Sequence, residues 1–261
     1  MIRRLKRRLG IRFSTKALKR NPGVYLRQLL RRHRSFPDLV AGLAATRPVA
    51  IVQVGANDGS SNDPLGEMIL HRPERVSRAL LIEPQQSAFK RLAARYAKAP
   101  HVTCLNAAID REPGERAIYS MDMAAASERL GRRISDGLAS FSRPHLENAF
   151  RNADPAISDA ELDQLITETP VPVTTIRQAM ETAGMRDADV LLVDTEGFDA
   201  EIMAMALEAG LRPALLQFEH AHLDAATRRA LAGRLRREGY RLWASHLDMW
   251  GQRVGTGTSP R

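Results

Sequence analysis

VAIVQVGANDGS, residues 49–60, is the stretch whose reading decides the fold. Val49 to Val54 is apolar except for Gln53, the length and texture of a strand buried on both faces. Loop formers follow it at once. Gly55 and Gly59 allow a tight turn and a close approach of backbone to a ligand, and Asn57 and Asp58 tolerate unusual dihedrals while offering polar contacts. A buried strand that runs straight into such a loop is the opening of an α/β unit with a ligand at its carboxyl end.

The chain on either side repeats the texture. Ala79 to Ile82 reads as a second strand closed by Glu83-Pro84, and Phe89, Leu92 and Tyr96 recur at helical spacing. Val102 to Asn106 supplies a third strand, so the order is strand, helix, strand, helix, strand, which builds a parallel sheet. After an irregular middle the pattern resumes. Thr175 to Ala183 is expected as a helix, Val190 to Asp194 as a strand, Asp199 to Ala209 as a helix and Ala214 to Glu219 as a strand. Ala225 to Glu238 then reads as an amphipathic helix, and Tyr240 to Ala244 with Leu247 to Trp250 as a closing antiparallel pair.

Between these halves, Arg111 to Thr169 is less regular. Ala117 to Met121 reads as a strand, Ser127 to Asn152 has weak periodicity, and Ser158 with Glu161 stands at capping-box spacing before a helix to Thr167. A segment that long and irregular inside a compact domain suits a lid. Its Arg129, Arg132, Arg133 and Arg143, with His145, are either a grip for an anionic group of a substrate or solvated surface charge.

The composition allows one complete α/β domain, since 261 residues at 44% hydrophobic content leave no room for two large ones. The net charge of +9 is local: residues 1–37 hold 13 Lys and Arg and no acid, leaving 26 basic against 30 acidic residues elsewhere. The organisation expected is a basic helical extension over 1–47, the α/β domain over 48–250 and a disordered tail over 251–261. The extension pairs cationic residues with Ile2, Leu5, Leu9 and Ile11, which suits packing on the domain or peripheral contact with an anionic membrane. Nucleic acid is disfavoured as a partner, because only Phe13, Tyr25 and Phe36 are available there for stacking on bases. No stretch reaches the roughly 20 apolar residues of a membrane-spanning helix, and charges occupy the place of a signal peptide's apolar core, so a cytoplasmic location is expected. The single cysteine, Cys104, sits in an apolar run and reads as a buried inert thiol.

The loop of residues 54–60 departs from a dinucleotide fingerprint, because Asn57 and Ser60 stand where glycines are wanted, and no Gly-Lys-Ser/Thr follows it. A ligand with a ribose and an amino-acid moiety suits it better than one with a pyrophosphate. Glu83, at the end of the second strand, is placed to accept hydrogen bonds from both hydroxyls of a ribose. Asp194, Glu196 and Asp199, in VDTEGFD at the end of a later strand, face the same crevice, with Asp199 read as a cap on the helix that follows. Glu219-His220-Ala221-His222 suggests metal ligation, yet the sequence shows no third cluster to complete a set, so no metal is expected.

Taken together, VGANDGS at 54–60, DPLGEMI at 63–69, LLIEP at 80–84, LNAAI at 105–109, VDTEGFDAEI at 193–202 and LLQFEH at 215–220 resemble the FkbM-type methyltransferases in order and spacing over residues 48–222. The resemblance implies a class I methyltransferase fold of Rossmann-like type, with a mostly parallel seven-stranded sheet and helices on both faces. It also implies S-adenosylmethionine as cofactor and methyl transfer to a hydroxyl oxygen, often of a sugar, glycan or natural product. By position it places Gly55, Asn57, Asp58 and Gly59 along the methionine moiety, Glu83 at the ribose, and Asn106, Ala107 and Ala108 near the adenine. Asp194 and Glu196 border the acceptor, and the candidates for a catalytic base are Asp194, Glu196 and His220, with Glu219 beside them. The sequence departs from the commoner pattern at Gln53 and at Val193-Asp194-Thr195. An NAD(P)-dependent oxidoreductase and an RNA- or membrane-binding protein are the alternatives.

Overall fold

The computed structural model describes residues 35–60, 63–131 and 139–254. The two basic helices expected before residue 35 lie outside the described residues, as do Arg132, Arg133 and the tail after residue 254.

The first described helix, α1 (Phe36–Ala44), buries Phe36, Val40 and Ala44, a spacing of four that keeps one face inward. They pack with Val49 and Ile51 of β1 (Val49–Val54) and with Ile69 of α2 (Gly66–His71). That helix belongs to the domain core, so the domain begins near Phe36 and not at residue 48: its apolar stripe has the sheet to cover.

The remaining elements of the first half are β2 (Val76–Ile82), α3 (Gln86–Tyr96) and β3 (Val102–Leu105). Those of the second half are α7 (Ile176–Thr182), β8 (Val190–Val193), α8 (Asp199–Glu208), β9 (Leu215–Glu219), α9 (Ala225–Arg237), β10 (Tyr240–Ala244) and β11 (Asp248–Arg253). The strands form a seven-stranded sheet in the order β10-β11-β9-β8-β1-β2-β3. Five neighbours from β3 to β9 are parallel, and β11 runs antiparallel to both β9 and β10. Val190 to Val193 is wholly buried, because helices cover both faces of a sheet of this kind. Two apolar clusters flank the sheet: one gathers Val52, Leu80 and Leu191 with α7, α8 and α9, the other Ile51, Leu81 and Leu192 with α1, α2 and α3. Alternate residues of each strand thus serve opposite faces. The fold class expected from the sequence is the one found.

Two boundaries differ from expectation. Gly251 to Arg253, expected as tail, continue β11, and Gly251 is tightly enclosed: a Cβ there would meet Leu242 at 2.9 Å and Leu216 at 3.1 Å. The irregular middle is an ordered insertion over its described residues. β4 (Ala108–Ile109), β5 (Gly114–Met121), β6 (Ala139–Ser140) and β7 (Ile166–Thr174) make a second, four-stranded sheet in the order β4-β7-β5-β6. Against it lie α4 (Met123–Arg129), α5 (Arg143–Ala153) and α6 (Asp159–Leu165), with Leu146, Phe150, Leu162 and Ile166 in a core of their own. The capping box expected at Ser158 and Glu161 is present.

Candidate functional site

The register of the parallel strands builds the site. Leu105 lies opposite Ile82, Ile82 opposite Val54, Val54 opposite Val193 and Val193 opposite Phe218. The next residue of each strand therefore falls in one line along the carboxyl edge: Asn106, Glu83, Gly55, Asp194, Glu219. Adjacent members stand about 4.8 Å apart, the spacing of paired strands. Chain order reverses at β1 and β8, the place where such sheets open a crevice for ligands.

On the β1 side, the loop after Val54 bends toward β2, with the amides of Gly55 and Ala56 both donating to the carbonyl of Ile82, at 2.9 and 3.0 Å. Gly55 has φ +82° and Gly59 φ +70°, and Asn57 shares the left-handed region at φ +47°. At Gly59 a Cβ would stand 2.7 Å from the Tyr96 ring, so the loop packs directly on α3. Asp63 secures the far side by accepting from the amides of Leu65 and Gly66 at 2.8 and 2.9 Å. Asp58 accepts from the amide and hydroxyl of Ser60, a local turn that shapes the loop end.

Glu83 is buried, 4% exposed, and each of its oxygens accepts one backbone amide: Oε2 from Asn57 and Oε1 from Gln85, both at 2.8 Å. Burial pushes this carboxyl up to about 6 against the pull of those amides. Asn106 donates through Nδ2 to the carbonyls of Glu83 and Pro84, which ties the exit of β3 to that of β2. Ala107 and Ala108 are buried beside it.

On the β8 side four carboxylates converge. Glu196 has φ +52°, unusual outside glycine and a local strain of about 1 kcal/mol. Asp194 reaches solvent, and the surrounding protein first, then Glu196, Asp199, Glu219 and Asp248, push it up to about 8. Burial and then Glu219 push Glu196 up to about 7, and burial pushes Asp199 up to about 6. Asp199 does not cap α8, whose N-cap is Phe198. Instead it is 1% exposed and accepts from the amide and hydroxyl of Thr195, at 3.3 and 3.0 Å, and from the amide of Glu219, at 3.1 Å. The helix begins one residue too early for a cap, so its side chain is free to join the exits of β8 and β9.

Two histidines not singled out as bases complete this side. His222 Nε2 lies 3.4 Å from Glu219 and 3.8 Å from Glu196, and its ring meets that of His145 edge-on with centroids 4.5 Å apart. The hydrogen bond with Glu219 raises the His222 imidazole, while burial and then His222 lower His145. His220, the expected base, is buried against the turn between β10 and β11, where Nε2 donates to the Ser245 carbonyl at 3.3 Å. The backbone turns as the strand ends, and it presents the second imidazole of the pair to the carboxylates. A signal existed in the sequence, since both histidines stand beside Glu219; nothing in it told which one faces inward.

Of the arginines read as an anion grip, the two among the described residues are paired inside the insertion. Arg129 pairs with Asp154 and Glu161, and Arg143 with Glu147 and Asp163. Cys104 is half-buried, and burial pushes its thiol up to about 11, in keeping with an inert group. No helix among the described residues is long and apolar enough to cross a membrane.

Strand order, glycine loop and the line of acids at the switch point together define a Rossmann-like methyltransferase of class I. A family model described as the methyltransferase FkbM domain matches residues 53–242, and the chain belongs to that family. Membership makes the protein a methyltransferase and implies S-adenosylmethionine as methyl donor. None of the curated proteins compared with the chain matches it in sequence. Among solved structures the chain is similar to the fibrillarin pre-rRNA processing protein of Methanococcus jannaschii, with 10% identity over 80% of this chain and 68% of that one, at a TM-score of 0.38. A precorrin-6y C5,15-methyltransferase of Geobacter metallireducens shows 10% identity over 83% and 88%, at 0.37. A precorrin 8w decarboxylase of Methanobacterium thermoautotrophicum shows 14% over 84% and 89%, at 0.38. The assignment rests on the strand order and the family match, and not on these likenesses.

Proposed function

We propose that the protein transfers a methyl group from S-adenosylmethionine to a hydroxyl oxygen of a sugar, glycan or natural product. The observation that carries this is the division of the carboxyl edge: Glu83 and the Gly55 loop on one side of the switch point, Asp194, Glu196 and Glu219 on the other.

The first half fits the cofactor. Each Glu83 oxygen accepts one amide and keeps a lone pair for a ribose hydroxyl, and the left-handed run through Gly55, Asn57 and Gly59 leaves backbone, not side chain, along the crevice. Asp58 belongs to this half, and Asn106, Ala107 and Ala108 form the wall beside Glu83 where an adenine would lie. The cofactor brings a methyl carbon on a sulfonium, an electrophile whose leaving group needs no assistance.

The second half fits a hydroxyl acceptor. As the oxygen forms its bond to carbon and the carbon–sulfur bond breaks, with the electron pair kept by sulfur, the hydroxyl proton must leave. Asp194, next to Gly55 in the line, is the group nearest the cofactor side and is the residue to receive it. Glu196 and the His222–Glu219 pair border the acceptor. The remaining work is alignment of oxygen, carbon and sulfur.

The test is release of S-adenosylhomocysteine in the presence of hydroxylated glycans and small polyols, with the methyl group located by mass spectrometry. A methyl ether confirms the reading, and methylation of nitrogen or of RNA by the same protein overturns it. For residues 1–37, with their excess of cationic charge, we propose contact with an anionic membrane surface. Pelleting with phosphatidylserine vesicles that high salt abolishes is the expected result, and equal pelleting with neutral vesicles refutes it.

A further inference from the structure

We infer that His145, Glu196 and His222 form a site for one divalent transition-metal ion, of the class from manganese to zinc, on the acceptor side of the crevice. Its purpose rests on the methyl-transfer reading above; its existence does not.

The three residues come from α5, from the turn after β8 and from the turn after β9, and one ligand atom of each lies within 4.8 Å of the other two. Metal–ligand bonds of about 2.1 Å hold such atoms roughly 3–4 Å apart, so the set closes on an ion by small side-chain rotations. His222, with 35% of its side chain exposed, has room to make them.

Several features are otherwise unexplained. The Nε2 of His145 is buried with no hydrogen-bond partner among the described residues, a cost of about 1–3 kcal/mol. The backbone is shaped to admit that ring: Gly197 has φ +104°, and a Cβ there would stand 3.2 Å from His145 Nδ1. Glu196, just before it, holds its left-handed conformation at the point where its carboxylate meets both imidazoles. A simple His222–Glu219 pair accounts for one imidazole and leaves the other stranded. An ion engages both rings, since each neutral imidazole donates one lone pair to it and Glu196 supplies charge.

Glu196 is also a member of a second set, with Asp194 and Glu219, whose oxygens are within 4.8 Å of one another. The two sets overlap at Glu196, so a cation there is surrounded by carboxylates that need its charge. Two imidazoles with a carboxylate favour manganese, iron, cobalt or zinc over magnesium and calcium, which prefer oxygen throughout. When bound, the ion would act as a Lewis acid that holds and acidifies an acceptor hydroxyl beside Asp194.

The full-length protein, stripped by a chelator and desalted, is titrated with Mn2+ alone and followed by electron paramagnetic resonance. One ion per chain with micromolar affinity is expected, with nitrogen coupling from imidazole in the pulsed spectrum. His145→Ala and His222→Ala should each weaken binding by roughly tenfold or more. Lack of saturable binding up to about 1 mM, a bound ion without nitrogen coupling, or unchanged affinity in folded His145→Ala overturns the site. Nitrogen coupling in the unaltered protein keeps the test decisive if a variant misfolds. Calorimetric titration with S-adenosylhomocysteine separates the two readings: protein that binds S-adenosylhomocysteine and fails to bind Mn2+ sinks the metal site alone, and protein that binds Mn2+ and fails to bind S-adenosylhomocysteine sinks the methyl-transfer reading alone.

Discussion

The Cβ that Gly55 lacks would lie 1.7 Å from the carbonyl oxygen of Asp194. Strands β1 and β8 run together through the 2.9 Å bond from the Asp194 amide to the Val54 carbonyl, and the glycine lets the loop leave that pairing without a collision.

Gly55→Ala should therefore be among the most harmful single changes in the crevice. It adds a methyl group against rigid backbone at φ +82°, where the conformation alone costs about 1–2 kcal/mol. The expected outcome is a melting temperature lowered by several degrees and loss of detectable S-adenosylhomocysteine binding, read by thermal unfolding and calorimetry. Unchanged binding would show that the loop after β1 does not touch the cofactor.

Glu83 makes a pH prediction. Its folded value of about 6 lies above the usual 4.5, so the fold favours the protonated form. The stability this contributes is fully present below about pH 4.5 and is lost as pH rises through 6, up to about 2 kcal/mol in all. Cofactor affinity should move the other way, because ribose hydroxyls donate to the ionised carboxylate. Binding of S-adenosylhomocysteine is expected to weaken as pH falls below about 6 in the unaltered protein, and to be weak and flat with pH in Glu83→Gln. An equally steep profile in the variant would assign the titration elsewhere.

Asp199 is a buried clip between two strand exits. Asp199→Ala leaves the amides of Thr195 and Glu219 without their acceptor, at about 1–3 kcal/mol for a buried donor, and frees Glu219 to shift. Urea unfolding should show the lost stability and steady-state assays a lower kcat. Thr195→Val removes only the hydroxyl contact and should cost about 1 kcal/mol or less.

Arg116 links the insertion to the main domain. Its guanidinium lies 4.0 Å from the Phe141 ring centre and 5.1 Å from that of Phe198, and it pairs with Asp110 at 2.5 Å. Loss of these contacts in Arg116→Ala should cost about 1–2 kcal/mol and speed proteolytic cleavage within residues 108–174. Arg116→Lys keeps the charge and loses the flat stacking surface, so an intermediate cleavage rate is expected.

The sheet was legible because its strands carry their own signature. VAIVQV, ALLI and VLLV are apolar runs for a layer covered on both faces, and each is followed directly by the residue that enters the crevice. Gly55, Glu83 and Asp194 could be placed in one region for that reason alone. The strand β7 hid itself. Its sequence, ITETPVPVT, contains Pro170 and Pro172, which argue against a strand until their spacing of two is seen to put both missing amide hydrogens on one edge, with Val171 and Val173 buried between and after them. The His145–His222 contact was beyond reach for a different reason. It joins a helix of the insertion to a turn after β9, and no local pattern encodes how two such distant segments meet.

The insertion leaves and rejoins the main domain almost at a single point. Ile109 pairs with Thr174, and the amide of Asp110 donates to the Thr174 carbonyl at 3.0 Å, so its first and last strands are neighbours. Everything between them, with a core of its own, can be exchanged without asking the seven-stranded sheet to move. Glu83 and the Gly55 loop stand at the edge of that sheet, while Ala108 belongs to the first strand of the inserted segment and His145 to one of its helices. On the proposed reading, trading this one cassette would change what is modified and leave Glu83 and the Gly55 loop untouched.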